Sequence, residues 1–496
     1  MGAPNHRRLV SHAATAVVIA VAVTACGAGG AVDHGGGSVS GQPAPDQRHR
    51  PTDMTTTGDF AMSDPDQDPL STFALDIDTG SYTRFRDAVN QGRRIAPSEV
   101  RTEEFVNYFE QGYEAPREGL DVSIDAAALP FRDGHRLVRV GIRSADADDE
   151  SRPDADLVLV VDCSGSMNEA GKMETTKIAL RTLAASLRTT DRVAMVCYST
   201  EAEVALEPTA ASDRQALDEA IDSLHPQAST NAEAGLTLGY DLAQSMHTEG
   251  RMTRVVLVSD GVANVGDTSP GGILERISTQ ARAGTSLISV GVGIDNYNDH
   301  LLEQLADRGD GWHVYVDTSA EAERVFATGL TGSLVVAARD AKAQVEFDAD
   351  QVSGYRLLGY ENRDVADRDF RNDAVDGGEV FAGHATTALY DVELREGTSD
   401  ASFVRATVRY LDANGEPVER TRQLRDSECA PTIEQASPRL RQNLVIAMLT
   451  DRLTDGPWSH WTGPGDLQEQ AVALTDSLDG DHDVAELVSL IDRVTT

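Results

Sequence analysis

Lysine is almost missing from this chain: among 496 residues only Lys172, Lys177 and Lys342 are lysines, and the other basic residues are arginine. Positive charge is scarce altogether, with 43 Lys and Arg against 81 Asp and Glu and a formal net charge of −38. Such a surface repels phosphate backbones, so nucleic acid is not expected among its partners. Beyond residue 25 no stretch approaches the roughly 18 uninterrupted apolar residues that a spanning helix needs. Catalytic signatures are lacking as well: there is no Gly-x-Ser-x-Gly elbow and no His-Glu-x-x-His. What is present is 40% hydrophobic residues, ample for a sizeable core, in a length that suggests about three domains.

Arg7 and Arg8 precede an apolar, small-residue run at 13–25 that is short for a membrane span and right for a signal-peptide core. The run ends Val23-Thr24-Ala25-Cys26, which resembles a bacterial lipobox. By that resemblance residues 1–25 are a signal peptide and Cys26 receives lipid, so the chain is expected to be exported and held at the cell membrane or surface. Residues 26–69, dominated by Gly, Ser, Pro, Gln and Asp, read as a flexible tether with a reach on the order of 35 Å.

The chemistry gathers further on. Residues 157–161 read Leu-Val-Leu-Val-Val, the unbroken apolar pattern of a strand covered on both faces. Asp162, Ser164 and Ser166 follow at alternate positions around Gly165, so a turn there can aim a carboxylate and two hydroxyls at one point. Ser229-Thr230-Asn231 precedes a helical pattern, and Ser259-Asp260-Gly261 closes a second buried strand at 255–258. In a doubly wound sheet such loops meet beyond the carboxyl ends of the strands. Hard oxygen donors of this kind suit Mg²⁺ or Mn²⁺.

Asp162-x-Ser164-x-Ser166, Thr230 and Asp260-Gly261, in that order and on those elements, resemble the metal-ion-dependent adhesion site of von Willebrand factor A-type domains. The resemblance implies that Ser164, Ser166 and Thr230 bind the cation directly, and that Asp162 and Asp260 bind it directly or through water. Two carboxylates then roughly neutralise the ion, and an open position attracts an Asp or Glu from a protein partner. The loop before Thr230, Gln227-Ala228-Ser229, lacks the glycine often found there in the family.

The implied fold is α/β, a doubly wound and mostly parallel sheet, with an additional β-rich region and C-terminal helices. Expected boundaries are a leader module at 70–150, the A-type domain at 151–333 and a β-rich plus helical module at 334–496. Residues 72–82 and 100–109 of the leader, with 355–363 and 383–390 of the tail, resemble modules of a group of bacterial surface lipoproteins. Within the leader, Asp78-Thr79-Gly80-Ser81 looks like an aspartic-protease loop but has no matching second loop. Asp76-x-Asp78 looks like a phosphatase start, yet no lysine occurs within the next 70 residues. His384 has no second histidine or cysteine near it in sequence and reads as structural. Asp479, Asp481 and Asp483 lack the glycine and terminal glutamate of a calcium loop and read as a helix cap. With Cys26 lipidated, Cys163, Cys197 and Cys429 remain; buried free thiols are expected, with a Cys163–Cys197 disulfide as the alternative.

A non-catalytic, lipid-tethered protein that binds a protein partner through a divalent cation is the reading these residues support. A metal-assisted hydrolase using Asp162 is one alternative, weakened because none of the three metal-loop segments holds a histidine to move protons. A scaffold with a vestigial metal site is the other.

Overall fold

The computed structural model describes residues 61–495 apart from 76, 148–151, 170, 228, 262–276, 281–283, 294–298, 330–333, 361–364, 373–376, 398–399 and 413. The expected signal-peptide run, Cys26, the expected tether up to residue 60 and Asp76 lie outside the described residues. Residues 61–69, the end of the expected tether, pack against the fold instead. Ser63 and Tyr355 exchange backbone hydrogen bonds of 2.7 and 3.0 Å, and Asp64 closes a turn by accepting from Asp66 N and Gln67 Nε2. Polar residues stay in place there because a side-chain oxygen substitutes for a regular backbone partner.

Ahead of the central sheet come β1 (Leu70–Ala74), α1 (Gly80–Asn90), α2 (Thr102–Tyr108), β2 (Leu120–Ala128) and β3 (His135–Ser144). The sheet itself alternates strands and helices: β4 (Ala155–Asp162), α3 (Lys172–Ser186), β5 (Arg192–Tyr198), β6 (Ala202–Ala210), α4 (Arg214–Ser223), α5 (Ala232–Met246), β7 (Met252–Ser259), β8 (Thr285–Val292), a helix at Asp299–Arg308 and β9 (His313–Val316). Its strand order is β6-β5-β4-β7-β8-β9, parallel throughout except for the edge strand β6. The apolar run of β4 is explained by cover on two sides. Leu157, Leu159 and Val161 pack with Leu180 and Leu183 of α3 and with Leu217 and Ile221 of α4, whereas Val158 and Val160 pack with Leu236 and Tyr240 of α5. Order reverses at β4, which places a crevice beyond its carboxyl end.

Strands β10 (Val336–Phe347), β11 (Val352–Leu358), β12 (Val380–Phe381), β13 (Ala385–Leu394), β14 (Ser402–Leu411) and β15 (Pro417–Arg425) follow, with helices at Pro438–Leu453, Pro464–Ser477 and His482–Thr495. They interleave with the strands that precede the central sheet. One sheet runs β1-β10-β14-β15, with β12 on β10, and the other β11-β13-β3-β2. Phe73, Val122, Val140, Val345, Tyr390 and Val408 share the core formed by these strands. The central α/β unit is therefore inserted into a β-structure whose two halves come from either side of it in sequence. α1 and α2 share a second core with the C-terminal helices and Trp458. Ion pairs lock this frame to the central unit: Arg86 binds Asp317 at 2.6 Å and Glu321 at 3.0 Å, and Arg101 binds Glu303 at 2.7 Å. Among the described residues no helix is long and apolar enough to cross a membrane.

Candidate metal centre

Asp162 is the last residue of β4, and strand register decides what surrounds it. Pairing with β5 sets it opposite Tyr198, and pairing with β7 sets Val161 opposite Val258, so Ser259 comes next. Ser164 N donates to Asp162 Oδ1 at 2.8 Å, while Tyr198 OH and Ser259 Oγ donate to Oδ2 at 3.1 and 2.9 Å. The tyrosine reaches that position because Gly235 of α5 lies under its ring; a Cβ there would come within 2.6 Å of it. Burial pushes the Asp162 carboxyl up to about 6, against the bonds from Ser164 and Ser259 and with the help of the neighbouring Asp260 charge.

Past Asp162 the chain makes a single tight turn, Gly165–Asn168, which leaves Ser164 Oγ and Ser166 Oγ 2.9 Å apart. Asp260 follows β7 and is buried. Gly261, at φ 93°, turns the backbone away and donates its N–H to Ser259 Oγ at 3.1 Å. Asp260 Oδ2 accepts from Lys172 Nζ at 3.2 Å, and Oδ1 is buried with no hydrogen-bond partner among the described residues.

Thr230 is buried in the loop entering α5, one residue before the cap Asn231, whose Oδ1 accepts from Ala234 N at 3.1 Å. That loop lies on the first one: Gln227 N donates to the Cys163 carbonyl at 2.7 Å, and Ser199 Oγ donates to Gln227 Oε1 at 2.8 Å. The three loops thus meet at the carboxyl edge of the sheet. No hydrogen bond links Thr230 directly to the other four side chains, and Cys26 lies outside the described residues.

Expected as buried free thiols, Cys163 and Cys197 instead form a disulfide, their Cα atoms 5.8 Å apart. The register that pairs Val161 with Cys197 brings Cys163 beside it just past the strand end, a proximity that depends on which strands are neighbours. Among the described residues Cys429 is left as the free thiol, and burial pushes it up to about 12. His384 packs against the rings of Trp312 and Phe381, its Nδ1 3.3 Å from the Ala382 carbonyl, and desolvation pushes it down to about 4. Asp481 caps the last helix, its Oδ1 accepting from Asp483 N and Val484 N.

Sequence reasoning missed Lys172, Tyr198 and the bond from Ser259 to Asp162. Of these, Lys172 alone carried a signal, as one of three lysines in the chain. Among the described residues no three His, Cys, Asp or Glu side chains gather as a metal cluster. The candidate donors are two carboxylates and three hydroxyls, and this all-oxygen set, with one carboxylate oxygen lacking a partner, fits a hard divalent cation.

Three family models match the chain: "von Willebrand factor" over residues 52–139, "von Willebrand factor type A domain" over 156–328, and "Uncharacterized protein YfbK, C-terminal" over 332–496. Uncharacterized protein YfbK of Escherichia coli is 36% identical over 337 residues, 66% of this chain and 59% of that protein. Human inter-alpha-trypsin inhibitor heavy chain H3 is 28% identical over 178 residues, 34% of this chain and 20% of that one. The chain therefore spans less than two thirds of the length of these curated relatives. A solved structure described as von Willebrand factor type A from Catenulispora acidiphila aligns with 78% of this chain and 98% of its own, at 16% identity and a TM-score of 0.41.

Proposed function

For a chain that is a von Willebrand factor A domain protein, we propose cation-dependent capture of a protein partner, without turnover. Ser164, Ser166 and Thr230 would hold a divalent ion with Asp162 and Asp260. When bound, the ion supplies an electrophilic position that an Asp or Glu of the partner can occupy. Asp162 stays oriented by Ser164, Tyr198 and Ser259, and the two seryl hydroxyls stay aimed together by the tight turn. We further propose that Cys26 carries the lipid that holds the exported protein at the membrane.

The observation that carries this reading is the pair of buried carboxylates at one strand-end crevice. Asp162 sits well above the ordinary carboxylate range, and Asp260 has an oxygen without a partner. A divalent ion relieves both conditions, whereas a merely structural acid pair has no need of one.

Melting the purified protein with EDTA and with saturating Mg²⁺ tests it. At a hundred times its dissociation constant, an ion that binds only the folded state adds about 2.7 kcal/mol, and Asp162→Ala removes that gain. Melting curves that Mg²⁺ and Mn²⁺ leave unmoved would defeat the proposal. A pull-down from envelope extract with and without EDTA then identifies the partner, and a hydrolase screen with Asp162→Ala as control tests the absence of turnover.

A further inference from the structure

Lys172 opens α3, and its side chain is 2% exposed beside an Asp260 side chain that is 0% exposed. The ammonium lies 3.2 Å from Asp260 Oδ2; the second acid in reach, Glu169, is 3.9 Å away and largely solvated. A cation is disfavoured both by burial and by the partial positive charge at a helix start, so this placement needs a compensating partner, and Asp260 provides it. The stem has a built path. It runs over Gly293, where a Cβ would come within 2.4 Å of the lysine Cε and 2.6 Å of Cγ and Cδ.

We propose that Lys172 is a resident counter-cation of the site, a positioning residue that competes with the divalent ion for the charge of Asp260 and so sets how tightly that ion binds. The proposal rests on the cation-site reading above. Asp162 and Asp260 contribute two negative charges and Lys172 returns one, so a divalent ion enters a site of net charge −1 rather than −2. Affinity for the ion falls, while the loaded site keeps a net charge of +1, which suits an acidic ligand. The ammonium holds Oδ2 and leaves Oδ1 buried without a hydrogen-bond partner among the described residues.

Mn²⁺ binding, counted from the free-ion electron paramagnetic resonance signal of the full exported chain, tests this without any partner. Lys172→Met keeps the stem over Gly293 and removes the charge. It is expected to tighten Mn²⁺ binding by about tenfold or more, the scale of one nearby unit charge acting on a divalent ion. Lys172→Gln serves as a second neutral variant should the first not fold, and Lys172→Arg, which keeps the charge, is expected not to tighten binding. Equal or weaker Mn²⁺ binding by a folded neutral variant overturns the proposal and leaves the cation site standing when the wild type binds. Absence of binding in wild type and neutral variants alike overturns both readings. Binding by the neutral variants alone supports the proposal.

Discussion

The two ends of the central sheet use the same residue type in opposite ways. At the amino end Asp191 accepts from Arg152 at 3.1 and 2.7 Å and from the backbone N–H groups of Ala155 and Arg188, both at 2.8 Å. Asp156 accepts from Arg192 and Arg251, and Asp154 from Arg188, Arg251 and Thr190. Burial acts to raise the Asp191 carboxyl, but Arg152 and the two amides outweigh it and hold the group below its ordinary range. At the carboxyl end burial wins, Asp162 rises to about 6, and Asp260 has one lysine and an orphaned oxygen. Acids that are fully answered by guanidinium serve the fold. Those left short of positive charge mark the site proposed to take a cation.

Breaking the amino-end network gives the largest expected effect. Asp191→Ala takes the bidentate carboxylate from the buried Arg152 and should cost about 3–5 kcal/mol in urea unfolding, while the response to Mg²⁺ stays as in the wild type. Loss of the Mg²⁺ response in that variant would erase the distinction between the two ends. The carboxyl end has a covalent closure beside its single Lys172–Asp260 pair, since the Cys163–Cys197 bond spans a separation of 34 residues at the base of the loop that follows β4. A Cys163→Ala, Cys197→Ala double variant should lose about 2–4 kcal/mol in EDTA. An unchanged unfolding midpoint would mean that the loop draws its stability from elsewhere.

Much of this was legible in the sequence, and the parts that were not share a cause. The apolar run of β4 and the oxygen-rich residues after it announced both a doubly covered strand and a polar turn at its end, because each signal is local. The insertion of the central unit into a β-structure was hidden: β1 pairs with β10, and β3 with β13, across the whole inserted domain, and periodicity says nothing of partners. The disulfide stood only as the alternative to free thiols, and the Tyr198 bond to Asp162 was hidden, for the same reason, since both follow from β4 lying beside β5. Lys172 escaped because a helix-start lysine looks solvated until the glycine beneath its stem and the acid at its tip are brought to it by the fold.

The smallest effect sharpens the comparison most, because it has the opposite sign at the two ends. In EDTA the folded chain holds the Asp162 proton up to about pH 6, whereas the unfolded chain releases it near the ordinary value of 3.8. Between those values the native state binds more protons than the unfolded state, so this group makes stability fall as pH rises, and the loss persists above pH 6. Asp191 does the reverse: its contribution is present above its ordinary range and is lost as acid protonates it. The gap at Asp162 corresponds to roughly 3 kcal/mol, an upper bound, because an asparagine there gives up part of the bonding from Ser164, Tyr198 and Ser259. Asp162→Asn is therefore expected to be more stable than the wild type by about 1–2 kcal/mol at pH 7 in EDTA, with the advantage shrinking toward pH 4. Urea midpoints across that interval provide the measurement. An advantage that stays flat with pH would show that Asp162 carries no unanswered charge, and the contrast between the two edges would then rest on Asp260 and Lys172 alone.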